Sequence, residues 1–297
     1  MINSRQVHPI KLLFILKGSI IPIIAPQIIF ITLFSLFVAI SHKFYPAILP
    51  QYALAPFTLL GIALSLFLGF RNNACYARWW EGRNLWGQLV ISSRNLSRQI
   101  MSLIDNKTAY GRDAQRQLIC LIIAYNYALK HQLNGSVPWY DIEKFLQPSE
   151  IESLKSAYNL PDAILRLIST QLILLRQESL LSDYFIVNLE QHISAMVSVQ
   201  AGCERIQNTP LPLAYRLLVH RTVYLFCFIL PFGLVNSLGL MTPILSSIIA
   251  YALLGLDSLS TQLEQPFGTS LNHLPISDIT YSIEQNLLEN LEELNQT

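Results

Sequence analysis

The stretch that decides the fold is Leu59–Gln88, LLGIALSLFLGFRNNACYARWWEGRNLWGQ, where an uncharged apolar segment continues into a basic, tryptophan-rich one. No proline interrupts the stretch, so it predicts a single helix that passes from membrane into water. Because a helix turns once every ~3.6 residues, residues four apart form a stripe along it. One stripe has small side chains, at Gly61, Ser65 and Gly69. The adjacent stripe is bulky and apolar, at Ile62, Leu66 and Phe70.

The two stripes predict different contacts. Small residues four apart let a neighbouring helix approach closely in a bilayer. By spacing alone, the bulky stripe faces lipid, the protein core or a shared central axis, and lipid or core is favoured. Two features argue for the axis: the stripe continues into a basic helix, and it carries no charge. At an axis it would form a hydrophobic constriction that gates by dewetting.

The composition is that of a membrane protein. Of 297 residues, 52% are hydrophobic and only 13% are charged, against about 25% charged in soluble domains. The formal net charge is +1, which gives no reason to expect a nucleic-acid partner. The four cysteines lack the short paired spacing of disulfide frameworks or zinc sites, and we expect all four to be reduced.

Hydropathy and charge divide the chain into five predicted segments. Uncharged runs long enough to cross a bilayer alternate with polar ones, and the basic flanks place both termini in the cytoplasm. The predicted segments are a cytoplasmic amphipathic segment (1–17), two transmembrane helices (18–70), a cytoplasmic helical region (71–221), two further transmembrane helices (222–256) and a cytoplasmic C-terminal segment (257–297). Helix breakers between Asn236 and Pro243 predict a short external turn inside the fourth segment.

The polar segments show helical periodicity. Ser149 and Glu152 have the spacing of a capping box and predict a helix start. A final acidic helix, from Asp278 onward, has Ile283 and Leu287 on one face. We expect that face to dock on another cytoplasmic helix or on a second subunit.

The sequence lacks the common motifs of catalytic, phosphate-binding and metal-binding sites. The sequence contains no HExxH, Gly-rich phosphate loop, nucleophile elbow or intramembrane run of carboxylates. The six histidines are scattered singly, which favours ordinary structural roles over metal ligation. We therefore expect no enzyme, no cofactor and no metal site.

The polar residues below the apolar stripe allow two interpretations. Arg71, Asn72 and Asn73 could present hydrogen-bonding groups to ions in an inner vestibule. For Arg71, anchoring by the positive-inside rule is an equally good explanation.

The next turns of the helix favour a structural role. The motif in these turns consists of Arg78, Trp79, Trp80 and Glu81. It predicts that the tryptophans are buried near the interface and that an ionic pair holds adjacent helices.

Three sequence blocks resemble the bestrophin family of ion channels, and its bacterial branch in particular. They are ARWWEGRNLWGQ preceded by LGF, TPLPLAYRLLVHRTVYLF, and LEQPFGTSLNHLPI, in which Pro266, Phe267 and Gly268 match the family's PFG segment. The blocks occur in the family's order, so the resemblance covers nearly the whole chain.

The resemblance implies an all-α homopentamer around one central pore, with four transmembrane helices per subunit and a large helical cytoplasmic part. It places Ile62, Leu66 and Phe70 around the pore neck, which reverses the preference from spacing alone. It also implies a second apolar constriction at the cytoplasmic exit, for which Leu180 is the candidate by position.

One departure from the family concerns calcium. Animal members follow PFG with acidic residues that bind calcium, whereas the sequence here continues Thr269, Ser270, Leu271, Asn272, His273. That segment lacks the oxygen ligands a calcium site requires, so we expect no such site.

The sequence therefore predicts a passive ion channel of the bacterial inner membrane, gated at a hydrophobic neck. Its expected partners are further copies of the chain, the lipid bilayer and small monovalent ions, with cations favoured. Two alternatives stay open: a chloride or anion channel of the same architecture, and a non-conducting membrane scaffold that uses the acidic tail as a docking surface.

Overall fold

The computed structural model describes residues 15–16, 18–46 and 52–294, with side chains as far as residue 292. Every regular element in these ranges is helical. The predicted amphipathic segment 1–17 lies outside the described residues except for 15 and 16. The α-helices are α1 (Ile21–Phe44), α2 (Leu54–Leu103), α3 (Ala109–Asn134), α4 (Trp139–Ile142), α5 (Pro148–Lys155), α6 (Leu160–Gln177), α7 (Asp183–Asn208), α8 (Leu213–Leu238), α9 (Thr242–Glu264) and α10 (Ile276–Leu294).

The chain forms two compact units. The first contains the described residues up to Trp79, Pro210–Pro266 and Ser270–Asn272. The second contains Trp80–Thr209, Phe267–Thr269 and the chain from His273. Helix α2 is a single 50-residue helix that contributes to both units, as the breaker-free sequence predicted.

The first unit is built from α1, the first half of α2, α8 and α9. Three stretches of the described chain are long and apolar enough to cross a membrane: Ile21–Phe44, Leu54–Leu103 and Leu213–Glu264. The third stretch contains α8 and α9, which a 3₁₀ turn at Gly239–Met241 joins. That turn lies within the breaker segment predicted from Asn236 to Pro243. The core of this unit is apolar, and its members include Ile24, Ile31, Leu64, Leu68, Val223, Phe226, Leu230, Ala250 and Leu254.

The second unit is organised around α3. Every residue from Leu121 to Lys130 is buried, because α6, α7 and α10 all pack against this helix. The apolar face of α10, with Ile283 and Leu287 fully buried, lies against α3. The sequence left open whether this face docks on another cytoplasmic helix or on a second subunit, and in the structure it packs on a helix of the same chain.

The predicted capping box at Ser149 and Glu152 was wrong by two residues. Helix α5 has Gln147 as its N-cap, and the backbone N–H of Gln147 donates to the Glu150 carboxylate at 2.8 Å. The shift has a local cause, since Pro148 has no N–H and a fixed φ and is therefore favoured in the first helical position.

Candidate functional site

The bulky stripe of α2 is exposed in the subunit. Ile62, Leu66 and Phe70 are 64%, 57% and 58% exposed. The opposite side of the same helix is buried, with Leu64 and Leu68 in the core of the first unit. Three consecutive apolar turns of α2 therefore face away from the rest of the first unit and are free for contacts from outside the chain.

The small stripe divides between two environments. A Cβ at Gly61 would lie 3.2 Å from the ring of Phe226 on α8, so Gly61 permits close packing inside the subunit. Ser65 is exposed, and its hydroxyl donates to the Gly61 carbonyl at 2.8 Å. A Cβ at Gly69 would meet nothing within 4 Å. Ser65 and Gly69 therefore leave room for a helix from outside the subunit.

Arg71 lies directly after the stripe but points to the other side of α2. It is 1% exposed, and its guanidinium forms an ion pair with Asp257 of α9. Arg71 Nη2 also donates to the Thr261 hydroxyl at 3.0 Å. The second oxygen of Asp257 accepts a hydrogen bond from His220 Nδ1 on α8 at 2.7 Å. Asp257 thus joins three helices of the first unit.

Glu264 forms a similar junction two turns further along α9. It is 1% exposed, with Oε2 at 3.8 Å from Arg71 Nη2 and Oε1 at 3.7 Å from Arg216 Nη1. Oε1 also accepts from the backbone N–H of Leu211 at 3.2 Å. Two buried carboxylates are therefore paired with two arginines, which offsets part of the cost of burying the charges.

The three predicted vestibule residues have different positions. Arg71 is buried between α2 and α9 and presents no hydrogen-bonding group to a vestibule in this subunit, because its guanidinium faces two carboxylates. Asn72 is half-buried and accepts from the Ser260 hydroxyl at 3.4 Å. Asn73 is exposed, and by helical spacing it follows Ile62 on the same side of α2. Asn73 is the one that continues the stripe.

The RWWE motif connects α2 to three different parts of the chain. Arg78 Nε donates to the Glu264 carbonyl at 3.3 Å, and Trp79 Nε1 donates to the Asn272 carbonyl at 3.2 Å. Glu81 forms an ion pair with Arg205 of α7. The polar groups of this motif therefore contact other segments of the chain. Trp80, however, is 51% exposed in the subunit and is not buried as we had expected.

The PFG segment packs through its phenylalanine. Pro266 and Phe267 are buried, and a Cβ at Gly82 of α2 would lie 3.2 Å from the Phe267 ring. A Cβ at Gly268 would overlap the imidazole of His273. Burial lowers the pKa of His273, against a hydrogen bond with the Gly268 backbone that raises it. The two glycines permit this close packing of the motifs.

Leu180, the candidate for the cytoplasmic constriction, lies in the turn between α6 and α7. It is half-buried, its N–H donates to the Leu175 carbonyl at 2.9 Å, and its carbonyl accepts from the Asp105 N–H at 3.0 Å. These bonds fix the backbone of the turn.

The buried acids were the main omission of the sequence interpretation. The sequence interpretation assigned no role to Asp257, which directly follows the last apolar segment, or to Glu264, which lies in the PFG block. A usable signal existed, because a charged residue beside an apolar helix usually pairs with a charge on another one. Arg71 had such candidates in Asp257 and Glu264.

Within the described ranges, no cluster of three or more histidine, cysteine or acidic residues could hold a metal ion.

The chain matches a known family over nearly its whole length. A model of the family described as Bacterial/Fungal Bestrophin protein matches residues 1–289. The chain belongs to the bacterial and fungal bestrophin family. The resemblance drawn from the three sequence blocks is thereby confirmed.

Several bacterial relatives match this bestrophin over nearly its full length. The voltage-dependent anion channel-forming protein YneE of Salmonella typhi is 39% identical over 289 residues, which cover 97% of this chain and 93% of the relative. The protein of the same name from Escherichia coli K12 is 37% identical over the same shares of the two chains.

A solved structure shares the fold. A bacterial bestrophin homolog from Klebsiella pneumoniae superposes with a TM-score of 0.86 at 38% sequence identity, covering 91% of this chain and 98% of the other. Family and relatives together indicate a membrane protein that acts as an ion channel and not as an enzyme.

Proposed function

We propose that this bestrophin is a passive ion channel of the bacterial inner membrane in which five copies surround one pore, with Ile62, Leu66 and Phe70 forming the neck. The observation that carries the proposal is the exposure of all three side chains on α2. The opposite face of the helix is already occupied by its own subunit. A ring of such stripes would constrict the pore with apolar groups and gate it by dewetting.

The small stripe supports the assembly. A groove in the first unit is lined by Gly61 and Ser65 together with apolar side chains of α8 and α9, among them Phe226 and Leu253. A neighbouring α2 that entered this groove would bring the five helices close enough to form a narrow neck. The mass of the complex in native mass spectrometry checks the number of copies.

The topology of the proposal has four crossings and both termini in the cytoplasm. Helices α1, α2, α8 and α9 would cross the bilayer, and α3 to α7 and α10 would lie in the cytoplasm, with domain limits as predicted from the sequence. Arg71, Arg78, Arg83 and Arg94 all follow the apolar half of α2, which supports a cytoplasmic side there.

The ion is proposed to be a small monovalent anion. The relatives are named as anion channel-forming proteins, and this favours the alternative of chloride or another anion over the cations preferred from the sequence. The neck residues carry no charge, so they give no support to a cation preference. Asn73, exposed just below the neck, would supply hydrogen-bonding groups where an ion regains its water.

The scaffold alternative loses its main argument. It used the acidic tail as a docking surface, but the apolar face of the tail helix α10 packs on α3 within the same chain. No other described feature favours a non-conducting role.

The test is current through planar bilayers that contain the purified protein. Replacing Leu66 by alanine, alone and together with the other two neck residues, should raise single-channel conductance because the constriction widens and holds water. Ile29→Ala is the matched control, since Ile29 is equally exposed (59%) but lies on α1. Neck variants that conduct like the wild type would contradict the proposal.

The same bilayers give the sign of the ion. Under a KCl gradient, the reversal potential of an anion channel lies near the equilibrium potential of chloride. A reversal potential near that of potassium would refute the anion assignment and restore the cation preference.

A further inference from the structure

Arg71 lies opposite Ile62 on α2 and about 100° around the helix from Phe70. Nine residues separate Ile62 from Arg71, which corresponds to a rotation of about 180° around the helix. Arg71 and the neck stripe are also adjacent along the chain, because Arg71 follows Phe70 directly. Whatever holds the Arg71 side chain therefore also sets the direction in which Phe70 points.

Asp257 is the group that holds Arg71. It is 4% exposed and lies on α9, where it divides its two carboxylate oxygens between helices. Oδ1 accepts from Arg71 of α2, and Oδ2 accepts from His220 of α8 at 2.7 Å. Thr261, one turn further along α9, accepts from the other guanidinium nitrogen at 3.0 Å and donates to the Asp257 carbonyl at 3.0 Å.

A rotation of α2 would break this ion pair. Nearer the start of α2 the buried contacts are apolar, at Leu64 and Leu68, and apolar contacts have little directional preference. After Arg71, the polar contacts with α9 are longer: the Ser260 hydroxyl donates to Asn72 at 3.4 Å, and Arg78 donates to the Glu264 carbonyl at 3.3 Å. An arginine between buried carboxylates has a fixed donor geometry and no water to replace its partners. The ion pair with Asp257 is thus the shortest charged contact on this face of the helix.

From this geometry we propose that Asp257 is the positioning residue of the pore neck. Through Arg71 it fixes the rotation of α2, and so it keeps Ile62, Leu66 and Phe70 directed at the pore axis. His220 and Thr261 orient the Asp257 carboxylate and the guanidinium for this task. The proposal rests on the proposed function, because it concerns the neck of that channel.

Single-channel conductance in planar bilayers tests this role, since a purely structural residue would change the number of active channels and not the conductance of each. Asp257→Asn should raise single-channel conductance by about twofold, because a released α2 turns apolar side chains away from the axis. Thr261→Val is the milder variant: it removes one acceptor of Arg71 without a change of charge, and should shift conductance in the same direction. Asp257→Glu, which keeps the carboxylate, should restore conductance towards the wild-type value.

The matched control is Ser246→Ala on the same helix. The Ser246 hydroxyl is buried and accepts from Ser35 of α1 at 3.3 Å, so its loss removes a contact of α9 that does not involve α2. Its conductance should equal that of the wild type. The proposal is overturned if Asp257→Asn and Thr261→Val both keep wild-type conductance while Leu66→Ala raises it. A wild-type protein that does not conduct at all would refute the proposed function as well.

Discussion

Ser179 is the one non-glycine residue of the described ranges with a positive φ, at 58°. It follows the C-cap of α6, where its N–H donates to the Arg176 carbonyl at 3.0 Å and the N–H of Leu180 donates to the Leu175 carbonyl at 2.9 Å. These two bonds are those of a Schellman motif, whose left-handed position is usually glycine. Serine at this position keeps a strained backbone beside the candidate constriction at Leu180.

Replacing Ser179 with glycine should therefore stabilise the protein. We expect a gain of about 0.5 to 1 kcal/mol, because glycine adopts the left-handed conformation without a steric cost. The measurement is the apparent melting temperature in detergent. Ser156→Gly is the control, since Ser156 at the C-cap of α5 has an ordinary φ of −90° and should lose stability from the added freedom of the unfolded chain. Equal shifts for both variants would contradict the explanation.

At the scale of the element, α10 shows how an amphipathic face is used. Leu287 is fully buried where the helix packs on α3. Leu287→Ala should lower the free energy of unfolding by about 2 to 5 kcal/mol, because it leaves a cavity in a packed interface. Thermal unfolding in detergent measures the loss. Tyr281→Ala, on the exposed side of the same helix, should change stability little, and a similar loss for both would argue against the packing seen here.

Helices and amphipathic faces were predictable where polar and apolar residues alternate. The faces of α10 and the break between α8 and α9 followed from periodicity and from helix breakers. In the apolar half of α2 the same method could find stripes but not tell them apart. Lipid is as apolar as a protein core, so residue type alone does not distinguish Leu64 and Leu68 from Ile62 and Leu66. Only the three-dimensional packing shows which stripe is buried.

At the scale of the whole molecule, two histidines in the second unit make stability depend on pH. The pKa of His192 is lowered by burial and by the positive charge of Arg98, and burial also lowers the pKa of His273. Both groups have an ordinary value of 6.5. Below that pH the unfolded chain binds protons that the folded chain excludes. Stability is therefore present above about pH 6.5 and is lost as the pH falls through the lowered values in the folded state.

We expect the apparent melting temperature to fall as the pH is lowered below about 6.5. His192→Gln and His273→Gln should each flatten the profile in this range, since glutamine does not titrate. Melting curves at a series of pH values make the comparison. A profile that neither substitution alters would show that other groups carry the dependence.

The burial of the native thiols has a practical consequence for labelling. All four cysteines are free, and Cys75, Cys203 and Cys227 are buried while Cys120 is half-buried. Burial raises the pKa of Cys120 and raises that of Cys203 to about 12, so little of the reactive thiolate of either exists at neutral pH. A cysteine introduced at Asn73, which is exposed just after the apolar stripe, would accordingly be the preferred target of a maleimide, with the native thiols left in place. The native cysteines of the wild-type protein should therefore react little with fluorophores or spin labels that are attached to report on the width of the proposed neck.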